Sequence, residues 1–173
     1  MTGTKLQPLF SNESSESSNL ESILPAYIDF SKNYFEQVID DNDDNNDDYD
    51  NDWSAIIEKA INITKKTKKY HILMLLSTCQ FRSIEKKEKT KQSLIKASHY
   101  PLSIIVIGIG DGPWDEIQSL DDHLSGRWFD NLQFVPFLDV LLKHSKFPDV
   151  GFALNCLMEI PDQYEAIKRL KLL

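Results

Sequence analysis

Apolar residues in this chain gather in short continuous runs, separated by charged stretches whose apolar positions recur at helical spacing. The strongest run is Leu102-Ser-Ile-Ile-Val-Ile-Gly-Ile109, where six of eight residues are apolar and most are β-branched. A run of that length and composition, bounded by turn residues, predicts a strand buried on both faces. Gly108, Gly110, Gly112 and Pro113 then demand a sharp turn, and Trp114-Asp115 opens a helical pattern. A buried strand feeding a tight turn and a helix is half of a βαβ unit, the building block of parallel sheets.

The remaining runs take their places around it. Ile23 to Phe30 reads as a first strand with Pro25 near its start, and Asn33 to Ile39 as a short helix. Trp53 to Thr64 carries Ile56, Ile57, Ala60, Ile61 and Thr64 on one helical stripe, with Asp52 placed as its N-cap. Tyr70 to Ser77 is a second buried strand, with His71 at its start as a packed or hydrogen-bonded residue. A charged helix follows over Glu85 to Ser98. Leu132 to Phe137 is a short strand whose Pro136 points to a sheet edge. Phe137 to His144 and Asp149 to Glu159 look helical, and Pro161 breaks the second before a closing helix from Gln163 to Leu172. The alternation predicts an α/β fold, doubly wound, with a mostly parallel sheet of about four strands. In such sheets ligands bind beyond the C-terminal ends of the strands, here Asp29 to Asn33, Ser77 to Gln80 and Gly110 to Asp115.

Charge changes the picture at the front of the chain. The first 52 residues hold 13 Asp and Glu against two Lys, so the net of −8 over 173 residues is concentrated there and the remainder is slightly basic. Residues 1–22 are polar and Ser-rich, and are expected to form a disordered arm. Residues 23–173 form the expected domain, interrupted by a low-complexity insert at 40–52 with eight Asp. That run has oxygen ligands in abundance, but it lacks the sixth-position Gly and twelfth-position Glu of an EF-hand loop. No clustered basic face marks a nucleic-acid footprint. No signal peptide and no apolar run of about 18 residues is present, which predicts an intracellular protein, cytoplasmic or nuclear, without stable membrane insertion. Two cysteines, Cys79 and Cys156, are too few for a disulfide framework or a zinc module.

Candidate chemistry is sparse. The glycines after Ile107 match neither a dinucleotide fingerprint nor a phosphate loop, and serve the turn. Cys79 lies where a nucleophile could sit but has no assignable partner. Asp121-Asp122-His123 contains metal-ligand types and reads as an exposed loop. Lys65, Lys66, Lys68 and Lys69 could meet anionic lipid, yet they also suit a solvated helix C-terminus.

Three segments carry a resemblance. Pro101 to Asp115, Phe129-Asp-Asn-Leu-Gln-Phe-Val-Pro-Phe137 and Met158-Glu-Ile-Pro-Asp-Gln-Tyr164 together resemble a copine-type von Willebrand factor A domain. The version most similar is that of RING-type ubiquitin ligases of the RGLG group. The likeness runs from about Trp53 to the C-terminus. Between Asn33 and Trp53 relatives carry a long helix and two further strands, so the resemblance implies a sheet of order 1-4-5-6 with strands 2 and 3 missing.

The resemblance also implies a metal-ion-dependent adhesion site for a hard cation such as Mg²⁺, held by carboxylate and hydroxyl oxygens. Its remnant here would be Asp29, Ser31 and Asn33. Asn51 stands where the family has a Thr, and Thr78 where it has an Asp, so the site is expected to be degenerate, with no cofactor or at most weak Mg²⁺. The implied function is a non-enzymatic protein-interaction module, with a protein partner that could belong to the ubiquitin pathway. An adaptor role beside a RING ligase acting in trans, or copine-like calcium and phospholipid-linked membrane recruitment, stands beside it. The residues themselves hold no RING, which takes eight Cys and His ligands.

Overall fold

The computed structural model describes residues 52–173 apart from Cys79, Gln80 and Arg82. The expected polar arm, the strand at 23–30, the helix at 33–39 and most of the acidic insert lie outside the described residues.

Helix α1 spans Ser54–Thr67 and buries Ile57, Ile61 and Thr64, spaced so that they fall on one face. The cap position belongs to Trp53, one residue later than expected, and Asp52 still serves the helix start because its Oδ1 accepts from Ser54 N at 2.9 Å. Trp53 is buried, packs edge-on to Phe81 at 4.9 Å, and donates its backbone N–H to Thr90 Oγ1. Lys68 ends the helix in a left-handed conformation, its N–H bonded to Thr64 O, and Lys65 and Lys66 lie in the last turn. All four lysines of that cluster are exposed.

Strand β1, His71–Ser77, lies parallel to β2, Leu102–Gly108, which lies parallel to β3, Leu132–Pro136. Among the described residues the sheet order is β1-β2-β3. These are the last three strands of the expected order, and the fourth would be the one outside the described residues. Every residue of β2 is buried, as its unbroken apolar run requires. Pro136 closes β3 at the sheet's edge, where a missing N–H breaks no ladder bond. His71 is hydrogen-bonded through Nδ1 to Lys69 O, consistent with a structural role.

Helix α2, Ile84–Ala97, starts on Ser83, whose hydroxyl accepts from Lys86 N. Helix α3 is Asp115–His123, α4 is Phe137–Lys143, α5 is Pro148–Leu157 and α6 is Ile160–Arg169. The closing helix begins three residues earlier than expected. Pro161 sits in its first turn, where no intrahelical N–H is required, so the proline starts this helix instead of ending the previous one.

Two apolar clusters cover the two faces of the sheet. Leu102, Ile104 and Val106 meet Ile57, Ile61, Leu94 and Ile117 on one side. Ile105 and Ile107 meet Val135, Val140 and Cys156 on the other. Helices on both faces make this a doubly wound α/β domain. The second cluster stops short of β1, and this corrects the expectation of a fully buried strand. Met74 and Leu76 align with Ile105 and Ile107, yet they and Ile72 are 54%, 62% and 43% exposed. An apolar run specifies a strand without specifying what covers each of its faces.

Gly108 fits because nothing larger would. A Cβ there would lie 2.9 Å from Phe134 Cζ and 3.1 Å from Trp114 Cε2. Gly110 and Gly112 take positive φ, and the Gly112–Pro113 peptide is cis, so the chain reverses tightly into α3.

Candidate functional site

The C-terminal ends of the three strands form the place where this fold class binds ligands. β1 ends at Ser77, which is buried, and Thr78 after it is exposed. After β2 come Ile109, Gly110 and Asp111, all exposed, with Ile109 N donating to Ser77 O at 2.8 Å. That bond ties the two strand ends together and fixes where Thr78 leaves the sheet. None of the expected remnant ligands is among the described residues, and Thr78, which stands where the family has an Asp, is described. Asp29, Ser31, Asn33 and Asn51 lie outside the described residues, as does Cys79. The described part of the strand-end site offers the exposed hydroxyl of Thr78 and the exposed carboxylate of Asp111. Cys156, the other cysteine, is buried in the second apolar cluster, and burial pushes its thiol upward from the usual range.

A second polar constellation lies at the opposite end of the sheet. Asp121 belongs to helix α3, not to an exposed loop as expected, and only Asp122 and His123 beside it are exposed. The residues that join Asp121 are Asp130, which precedes β3, and Glu159, which precedes α6. One oxygen from each carboxylate lies within 4.8 Å of the others. Asp121 Oδ2 accepts the Phe134 N–H at 3.0 Å. Arg127 lies among them. Its Nη1 is 2.5 Å from Asp130 Oδ1, and its Nη2 and Nε donate to the backbone oxygens of Asp121 and Leu124.

Electrostatics follow from this crowding. Burial raises the Asp121 carboxyl to about 7, with Glu159, Asp130 and Asp122 adding like-charge repulsion and the Phe134 N–H pulling the other way. Glu159 is likewise raised, first by burial and then by Asp130. No sequence spacing announces this cluster. Its members are 9 and 29 residues apart along the chain (positions 121, 130 and 159), and only the folded sheet brings them together.

A third feature is apolar and outward-facing. Phe147, at the start of α5, is 72% exposed, and Val150, Leu154 and Leu157 on that helix are 67%, 61% and 51% exposed. Gly151 and Cys156 are buried on the same helix. Among the described residues no helix is long and apolar enough to cross a membrane.

The copine family profile matches residues 50–173. "Copine family protein 2" of Caenorhabditis elegans is 49% identical over 119 residues, covering 68% of this chain and 2% of that relative. "E3 ubiquitin-protein ligase RGLG5" of Arabidopsis thaliana is 39% identical over 133 residues, covering 70% of this chain and 31% of that relative. "Copine family protein 1" of Caenorhabditis elegans is 38% identical over 123 residues, again 70% of this chain and 11% of the relative. The chain thus spans less than a third of the length of each of these proteins.

Proposed function

The chain belongs to the copine family, and on that premise we propose that it is a non-enzymatic protein-interaction module whose strand-end metal site is degenerate. The observation that carries this reading is the exposed stripe Phe147, Val150, Leu154 and Leu157. These residues recur at intervals of three or four, so they share one helical face. A contiguous apolar face on a soluble surface is the usual mark of a protein contact. The partner is a protein, and the setting is intracellular.

The degenerate site rests on charge. A hydroxyl at Thr78 coordinates a hard cation less strongly than the carboxylate found there in the family's pattern, whereas Asn33 and Asn51 replace residues that are themselves neutral. Only Asp29 would supply a negative charge from the remnant set. Mg²⁺ or Mn²⁺ titrated by calorimetry should give no saturable heat that depends on Asp29. Micromolar binding abolished by Asp29→Ala would overturn this part of the reading.

The likeness to an E3 ubiquitin-protein ligase at 39% identity favours a second reading, as substrate adaptor to a RING ligase acting in trans. Affinity purification from cells separates the possibilities. Recovery of a RING protein or a ubiquitin-conjugating enzyme, lost in Phe147→Asp with Leu154→Asp, supports the adaptor. Recovery of lipid-associated proteins alone points instead to membrane recruitment. A pull-down unaffected by both substitutions removes α5 as the interaction face.

A further inference from the structure

The hairpin of α4 and α5 holds an open groove of about 390 Å³ whose parts differ in chemistry. Phe147, Val150 and Leu154 line it with apolar surface, and Lys143 and Lys146 line it as exposed cations. The turn between the helices fixes this shape in advance. Phe147 N–H donates to His144 O at 2.9 Å, and Gly151 N–H donates to Phe147 O at 2.9 Å. Gly151 lets the two helices close on each other, since a Cβ there would overlap the His144 side chain. Asn155 Nδ2 donates to Gly151 O at 2.8 Å and lies 3.4 Å from His144 Nε2. On the inner side Phe137 of α4 meets Phe152 of α5 edge-on at 5.1 Å. A groove built on helices packed in this way pays little to order itself when a partner arrives.

Charge and backbone chemistry decide what fits. Neither Lys143 nor Lys146 forms an ion pair or a hydrogen bond among the described residues. Asp139 and Asp149 are exposed on the same hairpin, but neither lines the groove. Unpaired cations beside an apolar groove favour an anionic partner and reject a cationic one. The walls are helical, so they present no row of free N–H and C=O groups to which an extended strand could add. The occupant must satisfy its own backbone, as an amphipathic helix does.

We infer that the groove takes an acidic amphipathic helix of a partner protein. Its apolar face lies against Phe147, Val150 and Leu154, and its Asp or Glu side chains meet Lys143 and Lys146. The inference rests on the reading of α5 as an interaction face and adds the chemistry of the partner. Exposed ion pairs are individually weak, so the apolar contacts supply most of the affinity and the lysines supply the choice of partner.

The test is selection on the full chain from a phage-displayed library of random peptides of about 15 residues, roughly four helical turns. Peptides that also bind Phe147→Asp combined with Leu154→Asp are removed by counter-selection, and circular dichroism confirms that each variant is folded. Enriched peptides should carry apolar residues at intervals of three and four together with a net negative charge. By fluorescence polarisation they should bind Lys143→Glu combined with Lys146→Glu roughly tenfold more weakly, and selection on that variant should return net positive peptides. Lys65→Glu combined with Lys66→Glu alters α1, which packs on the opposite face of the sheet. It should leave affinity within about twofold at physiological ionic strength. Absence of any enriched peptide, enrichment without negative charge, equal affinity for the Lys143 and Lys146 variant, or an equal loss in the Lys65 and Lys66 variant would each overturn the inference. A chain that sediments as a dimer dispersed by the α5 substitutions would give the groove to a second copy and overturn it too. The pull-down keeps the two readings apart, because capture that still depends on Phe147 and Leu154 preserves α5 as the interaction face even where the acidic helix fails.

Discussion

The carboxylate of Asp121 on α3 accepts the backbone N–H of Phe134 in the middle of β3 at 3.0 Å. A helix side chain thereby occupies a hydrogen-bonding position that a further strand would otherwise fill. Edge strands invite pairing with other chains, and a charged side chain bound to the edge is one way of blocking it.

That contact makes a pH prediction. Asp121 titrates at about 7 in the folded chain, well above its ordinary range, chiefly because it is buried. Between about pH 4 and pH 7 the folded state therefore holds a proton that the unfolded state has lost. Stability from this group is present at the acid end and is lost as pH rises through 7. Thermal unfolding between pH 5 and pH 8 should show the decline. Asp121→Asn keeps an acceptor for the Phe134 N–H and should flatten the decline by roughly 2 kcal/mol, less than the full shift implies because the group is partly solvated. An Asn variant with an unaltered pH profile would refute the assignment.

Burial along the sheet predicts unequal sensitivity to truncation. Ile105 is fully buried on β2, and Ile105→Ala should cost about 2–5 kcal/mol in urea unfolding. Leu76 is 62% exposed on β1, and Leu76→Ala should fall within about 0.5 kcal/mol of the native chain. Hydrogen exchange should find the amides of 102–108 the best protected among the described residues. Equal costs at the two positions would mean that Leu76 is covered in solution.

Two glycines of the turn should fail for different reasons. Gly108→Ala pushes a methyl group against Phe134 and Trp114, both buried, and should destabilise by about 1–3 kcal/mol. Gly110 faces open space at φ +116, so Gly110→Ala meets no neighbour and suffers only backbone strain, about 1–3 kcal/mol. Adding Phe134→Leu should recover part of the loss at Gly108 and none of the loss at Gly110. Denaturation of the two double variants measures the difference.

The Cys156 thiol is 4% exposed and its pKa is raised by burial, so it is a packing group. Alkylation followed by peptide mass spectrometry should leave Cys156 unmodified in the native chain at pH 8 and modify it fully in urea. Rapid native labelling at that position would show that α5 detaches from the sheet.

What was legible in the sequence was what the backbone period encodes. β2 declared itself through an unbroken β-branched run, and α1 through Ile57, Ile61 and Thr64. Pro136 marked the sheet edge for a reason that depends on one residue alone. Pro161 misled because a proline both ends helices and begins them, and only the surrounding chain path decides which. The exposure of Ile72, Met74 and Leu76 was hidden, since a strand's composition does not reveal how far the helices across from it extend. The Asp121, Asp130 and Glu159 constellation was hidden more deeply. It depends on three elements converging, and its nearest sequence sign, Asp121-Asp122-His123, named the wrong companions.

Helix α4 begins at Phe137, immediately after β3 ends at Pro136. No loop separates the strand from the helical hairpin that carries the exposed stripe. Most other elements of the chain are joined by intervening loop residues, but here helix follows strand directly. The same strand receives the Asp121 carboxylate at Phe134, two residues upstream of that rigid joint. The outer helical face and the Asp121 contact thus attach to one short strand, with no loop between them.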